Sequence, residues 1–303
     1  MHRRAFLQML AAGSVALLAP TRLRAQSGGL LQKAIPATGA NVPVIGLGSW
    51  ITFNVGRDTR ALERRAQVMQ AFFEAGGQMI DSSPMYGSSQ NTIGYGLEKL
   101  GAPTGLFAAD KVWTNGAGRG RAQIEESREN WGVPRFALLM VHNLRDWQAH
   151  LPTLFALKAA GELDYVGVST SHGRRHGELA QIFSTQPVDF VQLTYNITHR
   201  SVEDRLLPLA KERGVAVIAN RPFDGGRLVR ALKRRPLPSW AVAAGFSGWP
   251  DFLLKYIVSH PAVTCAIPAT SRVDHVRENM LACRGTLPDA SLRARMAEYV
   301  AAL

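Results

Sequence analysis

The sequence predicts an α/β protein of the (β/α)8 TIM-barrel class with a short N-terminal hairpin. From Val44 onward, eight short apolar runs alternate with helix-length amphipathic stretches. The runs are apolar almost throughout, as in parallel strands that are buried on both faces. No GxGxxG motif follows the first run, which disfavours an open doubly wound sheet. We therefore expect a closed parallel barrel with its helices outside.

The elements of this barrel can be placed in order along the chain. Two short apolar runs flank Thr38-Gly39-Ala40-Asn41, which predicts the hairpin. The predicted barrel strands are VIGLGSW, QMID, LFAADKVW, FALLMVHN, YVGVST, FVQLTYN, VAVIAN and VTCAIPA. Helical spacing is found between them in segments such as 59–76, 119–131, 147–161 and 202–214. Gly76, Gly161 and Gly214 stand where these helices are expected to stop.

The first 25 residues have the pattern of an export signal. Arg3 and Arg4 precede an apolar stretch over residues 6–19, and Ala25 is a small residue at a suitable cleavage point. The arginine pair followed by Ala-Phe-Leu resembles the twin-arginine signal, which sends folded proteins across the bacterial inner membrane. The apolar stretch is too short for a standard membrane span, so a permanent anchor is the weaker alternative. We expect a periplasmic domain of residues 26–303, exported by the twin-arginine machinery.

Composition argues against two classes of partner. The net charge is +12, but the basic residues are scattered and no nucleic-acid-binding motif accompanies them, so we interpret the charge as a basic surface around a site for an anionic cofactor. His172, His176 and His199 have no metal-ligand arrangement, and no metal is expected. Cys265 and Cys283 are expected to be buried free thiols, although an exported location would permit a disulfide.

Polar residues close three consecutive apolar runs, at the barrel end where catalysis is expected. The second run ends in Asp81 and is followed by Tyr86, the third ends near Lys111 and the fourth near His142. A cation beside a phenol lowers its pKa, and Lys111 held by Asp81 would supply that cation. Tyr86 could then protonate a carbonyl oxygen that His142 orients or polarises, while a cofactor supplies a hydride. Taken singly, these residues have ordinary structural readings, such as a helix cap for Asp81.

These motifs resemble those of a known family. GGQMIDSSPMYG, with AADKVW and VHN at the next two strand ends, resembles the Asp, Tyr, Lys and His tetrad of the aldo/keto reductases. VIGLGSW, YVGVST and VQLTYN are similar to the family's first, fifth and sixth strand motifs, and AIPATSRVDHVREN to its final phosphate segment. The similarity extends from about Ala34 to Asn279. It implies a reductase of aldehydes or ketones that uses a nicotinamide cofactor.

The resemblance also implies cofactor contacts at particular positions. Near the nicotinamide it implies Ser49, Trp50, Ser169, Thr170 and Gln192. At the adenosine and phosphate end, at the start of the last helix, it implies Ser271, His275, Glu278 and Asn279. A helix N-terminus attracts phosphate, and Arg272 would contact a 2′-phosphate, which favours NADPH over NADH. Trp50 and Trp113, at the ends of the first and third strands, are candidates for an apolar substrate wall, with packing at the rim as the alternative.

Two positions depart from the family pattern. Many members carry an aromatic-serine-proline run after the seventh strand, with the ring stacked on nicotinamide, whereas this chain has Ala219-Asn220-Arg221-Pro222-Phe223. The stacking ring is missing at Asn220; Arg221 could reach a cofactor phosphate instead, or Phe223 could cover part of the site. Ala269 replaces a glycine that is common in the phosphate segment, a change expected to alter loop shape.

The sequence is also compatible with two other functions. One is a cofactor-binding interaction or sensing subunit with little turnover, which the missing ring and the exported address motivate. The other is a Schiff-base aldolase with Lys111 as its nucleophile, a reading that leaves the nicotinamide pattern unexplained.

Overall fold

The computed structural model describes residues 29–303 and confirms the predicted barrel. Its strands are β1 (Gln32–Ala34), β2 (Asn41–Pro43), β3 (Leu47–Gly48), β4 (Met79–Asp81), β5 (Phe107–Val112), β6 (Phe136–Val141), β7 (Leu163–Ser169), β8 (Phe190–Thr194), β9 (Ala216–Asn220) and β10 (Cys265–Ala266). The antiparallel pair β1 and β2 is the predicted hairpin. Each of the eight predicted runs overlaps one strand of the parallel sheet β3 to β10, whose neighbours follow chain order. β7 begins at Leu163, two residues before the run YVGVST.

The sheet closes where its first and last strands meet. Isolated parallel bridges join Ile45 to Ala266 and Gly48 to Ala269. The two backbones approach closely, because a Cβ added to Gly48 would lie 2.8 Å from the carbonyl oxygen of Ile267. Closure brings the carboxyl ends of all eight strands to one rim.

Each barrel strand is followed by at least one helix, as the spacing predicts. They are α1 (Thr59–Glu74), α2 (Ser89–Lys99), α3 (Ala117–Trp131), α4 (Trp147–Ala159), α5 (His176–Thr185), α6 (Leu206–Arg213), α7 (Arg227–Leu232), α8 (Ser239–Ala243), α9 (Trp249–Val258), α10 (Val273–Leu281) and α11 (Ala290–Ala301). Gly76, Gly161 and Gly214 follow α1, α4 and α6 with φ of 88°, 75° and 64°. Their left-handed backbone ends these helices, as predicted.

Two apolar layers hold the barrel together. Inside it, residues of alternating strand positions such as Met79, Ala109 and Leu138 pack with Ile35 and Val42 of the hairpin region. A larger cluster fills the space between the sheet and the surrounding helices. Successive side chains of a strand point to opposite faces, so each strand contributes to both layers.

Three further expectations concern exposure and export. Cys265 and Cys283 are both buried and free, which confirms the thiol prediction. In the part of the chain that the structure describes, no helix is both long enough and apolar enough to cross a bilayer. The predicted export signal, residues 1–25, lies outside the described residues.

Candidate active site

A cleft of about 300 Å³ opens at the carboxyl rim of the barrel. Residues at the ends of seven of the eight barrel strands line it, from Gly48 at the end of β3 to Ile267 after β10. Eleven residues predicted from sequence are among them: Ser49, Trp50, Asp81, Tyr86, His142, Ser169, Thr170, Gln192, Arg221, Pro222 and Phe223. Closure of the barrel therefore brings most of the residues predicted for nicotinamide binding and acid-base chemistry to one cleft.

A fully buried ion pair lies beneath this cleft. The Nζ of Lys111 donates to Oδ1 and Oδ2 of Asp81 at 2.7 and 2.8 Å and to the carbonyl oxygen of Ser82 at 2.8 Å. Lys111 is 0% exposed, and Gln192 donates a further hydrogen bond to Asp81 at 2.7 Å. Because an ammonium has three protons and all three are bonded, these contacts favour the charged amine. A Schiff-base aldolase would need a free amine, so they disfavour that alternative.

The Tyr86 ring lies beside this pair. A single turn of 3-10 helix, Pro84–Tyr86, follows β4, and the Tyr86 ring centroid is 5.4 Å from the Nζ of Lys111. Burial, together with the charges of Asp81 and Asp110, raises the pKa of Tyr86 well above its usual value. The expected lowering of this pKa is wrong, because burial of the phenol is the largest influence on it and acts in the opposite direction. The phenol therefore keeps its proton at neutral pH.

His142 completes the cluster. Its ring meets that of Tyr86 edge to face, with centroids 5.5 Å apart, and its Nδ1 is 2.6 Å from the Oγ of Ser83. Burial, and secondly the nearby charge of Lys111, hold the pKa of His142 well below its usual value. A neutral imidazole and a protonated phenol thus face the same cleft.

The profile of the aldo/keto reductase family matches residues 44–296. This chain belongs to the aldo/keto reductase family. It is 25% identical to methylglyoxal reductase YeaE of Escherichia coli K12 over 267 residues, which cover 86% of this chain and 93% of the relative. It is 23% identical over 332 residues to the NADH-specific methylglyoxal reductase of the same organism, covering 88% and 98% of the two chains. An aldo-keto reductase from Klebsiella pneumoniae, solved in complex with NADPH, has the same fold, with a TM-score of 0.75, 22% identity and coverage of 89% and 96%.

The loops at the reductase's cleft hold an unusual amount of left-handed backbone. Within residues 29–303, nine residues other than glycine have positive φ, and eight of them follow a barrel strand at this rim. The eight are Ile51, Asn143, Leu144, Asp146, His172, Arg175, Arg221 and Asp224. Such residues cost about 1 to 3 kcal/mol each and persist where surrounding contacts impose them, commonly at functional sites. At Arg221, an ion pair to Asp224 at 3.2 Å supplies one such contact.

The departure at Asn220 has a structural counterpart. Its Oδ1 accepts a hydrogen bond from Thr194 at 2.7 Å, and its Nδ2 donates to the carbonyl oxygen of Thr170 at 2.8 Å. Asn220 therefore ties the ends of β7, β8 and β9 together. Phe223, in the loop after β9, and Trp50, in the loop after β3, each contribute an aromatic ring to the lining of the cleft.

The cleft offers polar groups that fit a nicotinamide cofactor. The hydroxyl of Thr170 is buried, lines the cleft and has no hydrogen-bond partner in the described part of the chain. An unpaired buried hydroxyl is costly unless a ligand satisfies it. Beside it, Ser169 ends β7 and is paired in the sheet with Gln192 of β8. These three side chains are suited to hold an amide group.

The predicted phosphate segment continues from the edge of the cleft. Pro268 and Ala269 line the cleft, and α10 begins four residues later. The predicted residues of this segment differ in exposure: Ser271 is half-buried, Arg272, His275 and Glu278 are exposed, and Asn279 is buried. None of these five lines the cleft itself. Arg272 caps the helix and pairs with Asp274, its Nε lying 3.0 Å from Oδ1.

Trp113, which was predicted as part of a substrate wall, lies away from the cleft. It does not line the cleft, and the guanidinium of Arg145 lies 4.8 Å from the centroid of its ring. This cation–π contact fits the alternative reading of Trp113 as a packing residue at the rim. Trp50 keeps its predicted place, 39% exposed at the cleft.

Sequence reasoning missed several residues of this site. Ile51 and Met85 line the cleft beside Trp50 and are 63% and 41% exposed, which makes the rim of the opening apolar. Ile51 follows the end of β3 by three residues and Met85 follows the end of β4 by four, and this closeness to a strand end is the signal that could have found them. Arg65 was missed as well; from α1 it donates to the carbonyl oxygens of Thr52, in the loop after β3, and Ser271, in the phosphate segment. No local pattern marks a contact of that range.

No metal site is evident in residues 29–303, where no group of three or more His, Cys, Asp or Glu side chains is arranged to bind an ion.

Proposed function

We propose that this aldo/keto reductase reduces aldehydes or ketones with a nicotinamide cofactor and that Tyr86 is the general acid. The main support is the edge-to-face contact of Tyr86 with a neutral His142 above the buried Lys111–Asp81 pair. A bound nicotinamide cofactor would supply the hydride. The unpaired hydroxyl of Thr170 supports binding of that cofactor in the same cleft.

Each side chain of the cluster has a distinct part in this proposal. The Tyr86 hydroxyl donates its proton to the carbonyl oxygen as the carbon becomes an alcohol carbon. The positive charge of Lys111 lies close enough to the ring to stabilise the phenolate that remains. Asp81 holds that ammonium in place, and His142 orients the same carbonyl oxygen.

The test compares Tyr86→Phe with the wild type in NADPH oxidation across a panel of aldehydes and ketones. We expect kcat to fall by at least about a hundredfold, because a general acid contributes roughly that much or more. Tyr95→Phe is the matched control, since Tyr95 lies on α2 outside the cleft and pairs with Glu63. Cofactor affinity, measured by tryptophan fluorescence, should be retained in both variants. Equal rates for wild type and Tyr86→Phe would refute the acid role.

NADPH is the cofactor we propose, in preference to NADH. Arg272 supports this choice, because its exposed guanidinium at the start of α10 suits a 2′-phosphate. A relative named as NADH-specific argues that the preference varies among similar proteins. Direct titration of the full chain with both cofactors decides between them; a lower Kd for NADH would overturn the proposal.

A second candidate function is a cofactor-binding interaction or sensing subunit with little turnover. The hydrogen bonds of Asn220 favour it, because they replace the ring that many relatives stack on nicotinamide. Cofactor that stays bound through purification, with less than one turnover in the carbonyl panel, would support this candidate. Rapid multiple turnover would exclude it.

We further infer that residues 1–25 direct export to the periplasm through the twin-arginine machinery. The support is Arg3 and Arg4 ahead of a short apolar stretch. Fractionation of cells and sequencing of the mature N-terminus test this inference, with an Arg3→Lys, Arg4→Lys variant as the comparison. Equal periplasmic amounts of both proteins, or an unprocessed N-terminus, would contradict it.

A further inference from the structure

Ser83 and His142 come from different strands and meet beneath the cleft. Ser83 follows β4 by two residues and is 0% exposed, and its Oγ lies 2.6 Å from Nδ1 of His142, which directly follows β6. We propose that Ser83 is a positioning residue that fixes His142 in the tautomer with its proton on Nε2. In that tautomer His142 donates a hydrogen bond to the carbonyl oxygen of the substrate. The proposal rests on the proposed reductase function.

The direction of the hydrogen bond between Ser83 and His142 follows from the other contacts of the Ser83 hydroxyl. A hydroxyl has one proton to donate and accepts with its lone pairs. The Oγ of Ser83 already accepts from the backbone N–H of Met85 at 3.2 Å. Among the described residues, the Nδ1 of His142 is the acceptor within reach of its proton. The hydroxyl therefore donates to Nδ1, and Nδ1 carries no proton.

A neutral imidazole with a bare Nδ1 has its proton on Nε2. His142 stays neutral because it is buried and because the Lys111 charge lies nearby, both of which lower its pKa. Since His142 lines the cleft and Nδ1 is taken by Ser83, Nε2 is the ring nitrogen left to meet a ligand. The reverse tautomer would turn a lone pair toward the lone pairs of a carbonyl oxygen, which is repulsive.

One short segment thus supplies three groups of the site. Asp81 holds the lysine, Ser83 holds the histidine, and the carbonyl oxygen of Ser83 accepts the backbone N–H of Tyr86 at 2.9 Å. Ser83 also caps the single helical turn that ends in Tyr86. Its side chain and backbone together set the relative positions of the two groups that face the carbonyl oxygen.

The kinetic test uses Ser83→Ala and Ser83→Thr in the full chain. Without the hydroxyl, His142 can adopt either tautomer, and we expect kcat for carbonyl reduction to fall about a hundredfold while KM changes by less than about threefold. Threonine keeps the hydroxyl and should recover most of kcat. Ser259→Ala is the control for loss of a serine hydroxyl away from the cleft. A Ser83→Ala enzyme with wild-type kcat would overturn the proposal.

A spectroscopic test needs neither substrate nor turnover. Long-range proton–nitrogen spectra of protein labelled with ¹⁵N-histidine distinguish the tautomers, and His142→Gln assigns the signal. The wild type should show a protonated Nε2, and Ser83→Ala a shift toward protonated Nδ1. A wild-type signal for protonated Nδ1 would overturn the proposal whatever the kinetics. Absence of turnover in the wild type would instead refute the proposed function, so the two failures are distinguishable.

Discussion

Asp110 and Lys111 are neighbours in β5 whose side chains lie on opposite faces of the barrel wall. Lys111 pairs with Asp81 inside the barrel. The carboxylate of Asp110 instead accepts a hydrogen bond from Gln90 at 2.7 Å on the helix side, and another from the backbone N–H of Lys111 at 2.8 Å. Burial, opposed by the charge and N–H of Lys111, raises the pKa of Asp110 to about 7.

Replacement of Asp110 by Asn should therefore change how stability depends on pH. A carboxyl with a folded-state pKa above its unfolded value stabilises the fold at low pH and loses this contribution as pH rises through about 7. From pH 5 to pH 8 the free energy of unfolding of the wild type should fall relative to Asp110→Asn by roughly 3 kcal/mol. Urea denaturation at the two pH values measures the difference. A difference that does not vary with pH would contradict the prediction.

The raised pKa of Tyr86 predicts the pH dependence of reduction. Because burial and the charges of Asp81 and Asp110 raise this pKa, the phenol stays protonated through neutral pH. We expect kcat for reduction to show no loss assignable to Tyr86 between pH 6 and 9, since the reference pKa is already about 10. Steady-state rates at saturating cofactor and substrate check this. A fall near pH 7 that Asp110→Asn does not move would show that Tyr86 ionises earlier.

Arg272 and Asp274 should act in opposite directions on cofactor choice. Asp274 pairs with the guanidinium that we assign to the 2′-phosphate, so it competes with that phosphate. Arg272→Ala should raise the Kd for NADPH about tenfold and change that for NADH by less than about twofold, as loss of one charged contact implies. Asp274→Asn should lower the Kd for NADPH. Fluorescence titration of the wild type and of both variants with each cofactor measures these Kd values.

Arg128→Ala is the matched control for this comparison, because Arg128 pairs with Glu125 on α3, away from α10. If Arg272→Ala weakens the binding of NADPH and of NADH equally, the arginine does not contact the 2′-phosphate.

Removing one partner of the Lys111–Asp81 ion pair should strongly lower the free energy of unfolding. Lys111→Met leaves a buried carboxylate without its cation, which costs about 3 to 5 kcal/mol of stability. The double variant with Asp81→Asn should recover part of this loss, because neither charge then remains. Chemical denaturation of the two variants measures the recovery. Lys99→Met, which breaks the exposed pair with Glu63, should have a much smaller effect.

Much of the fold was predictable because its signals are local. Each apolar run and each helical spacing depends on residues close in sequence, and each of the eight predicted runs overlaps a barrel strand. In a parallel barrel, catalytic groups follow the carboxyl ends of the strands, and this rule predicted that Asp81, Tyr86 and His142 lie close together. All three line one cleft. The family resemblance supplied the expectation of a nicotinamide site, and Asn220 marked where the chain departs from its relatives.

The sequence by itself determined the order of the elements and the residues that end each strand, because periodicity and turn chemistry act over a few positions. Only the tertiary structure decided which side chains touch. Closure of the barrel joins Ser83 to His142, pairs Lys111 with Asp81, and places Trp113 against Arg145. It also buries Tyr86, which raises the pKa of that phenol. These contacts depend on distances between strands far apart in sequence, which no local pattern encodes.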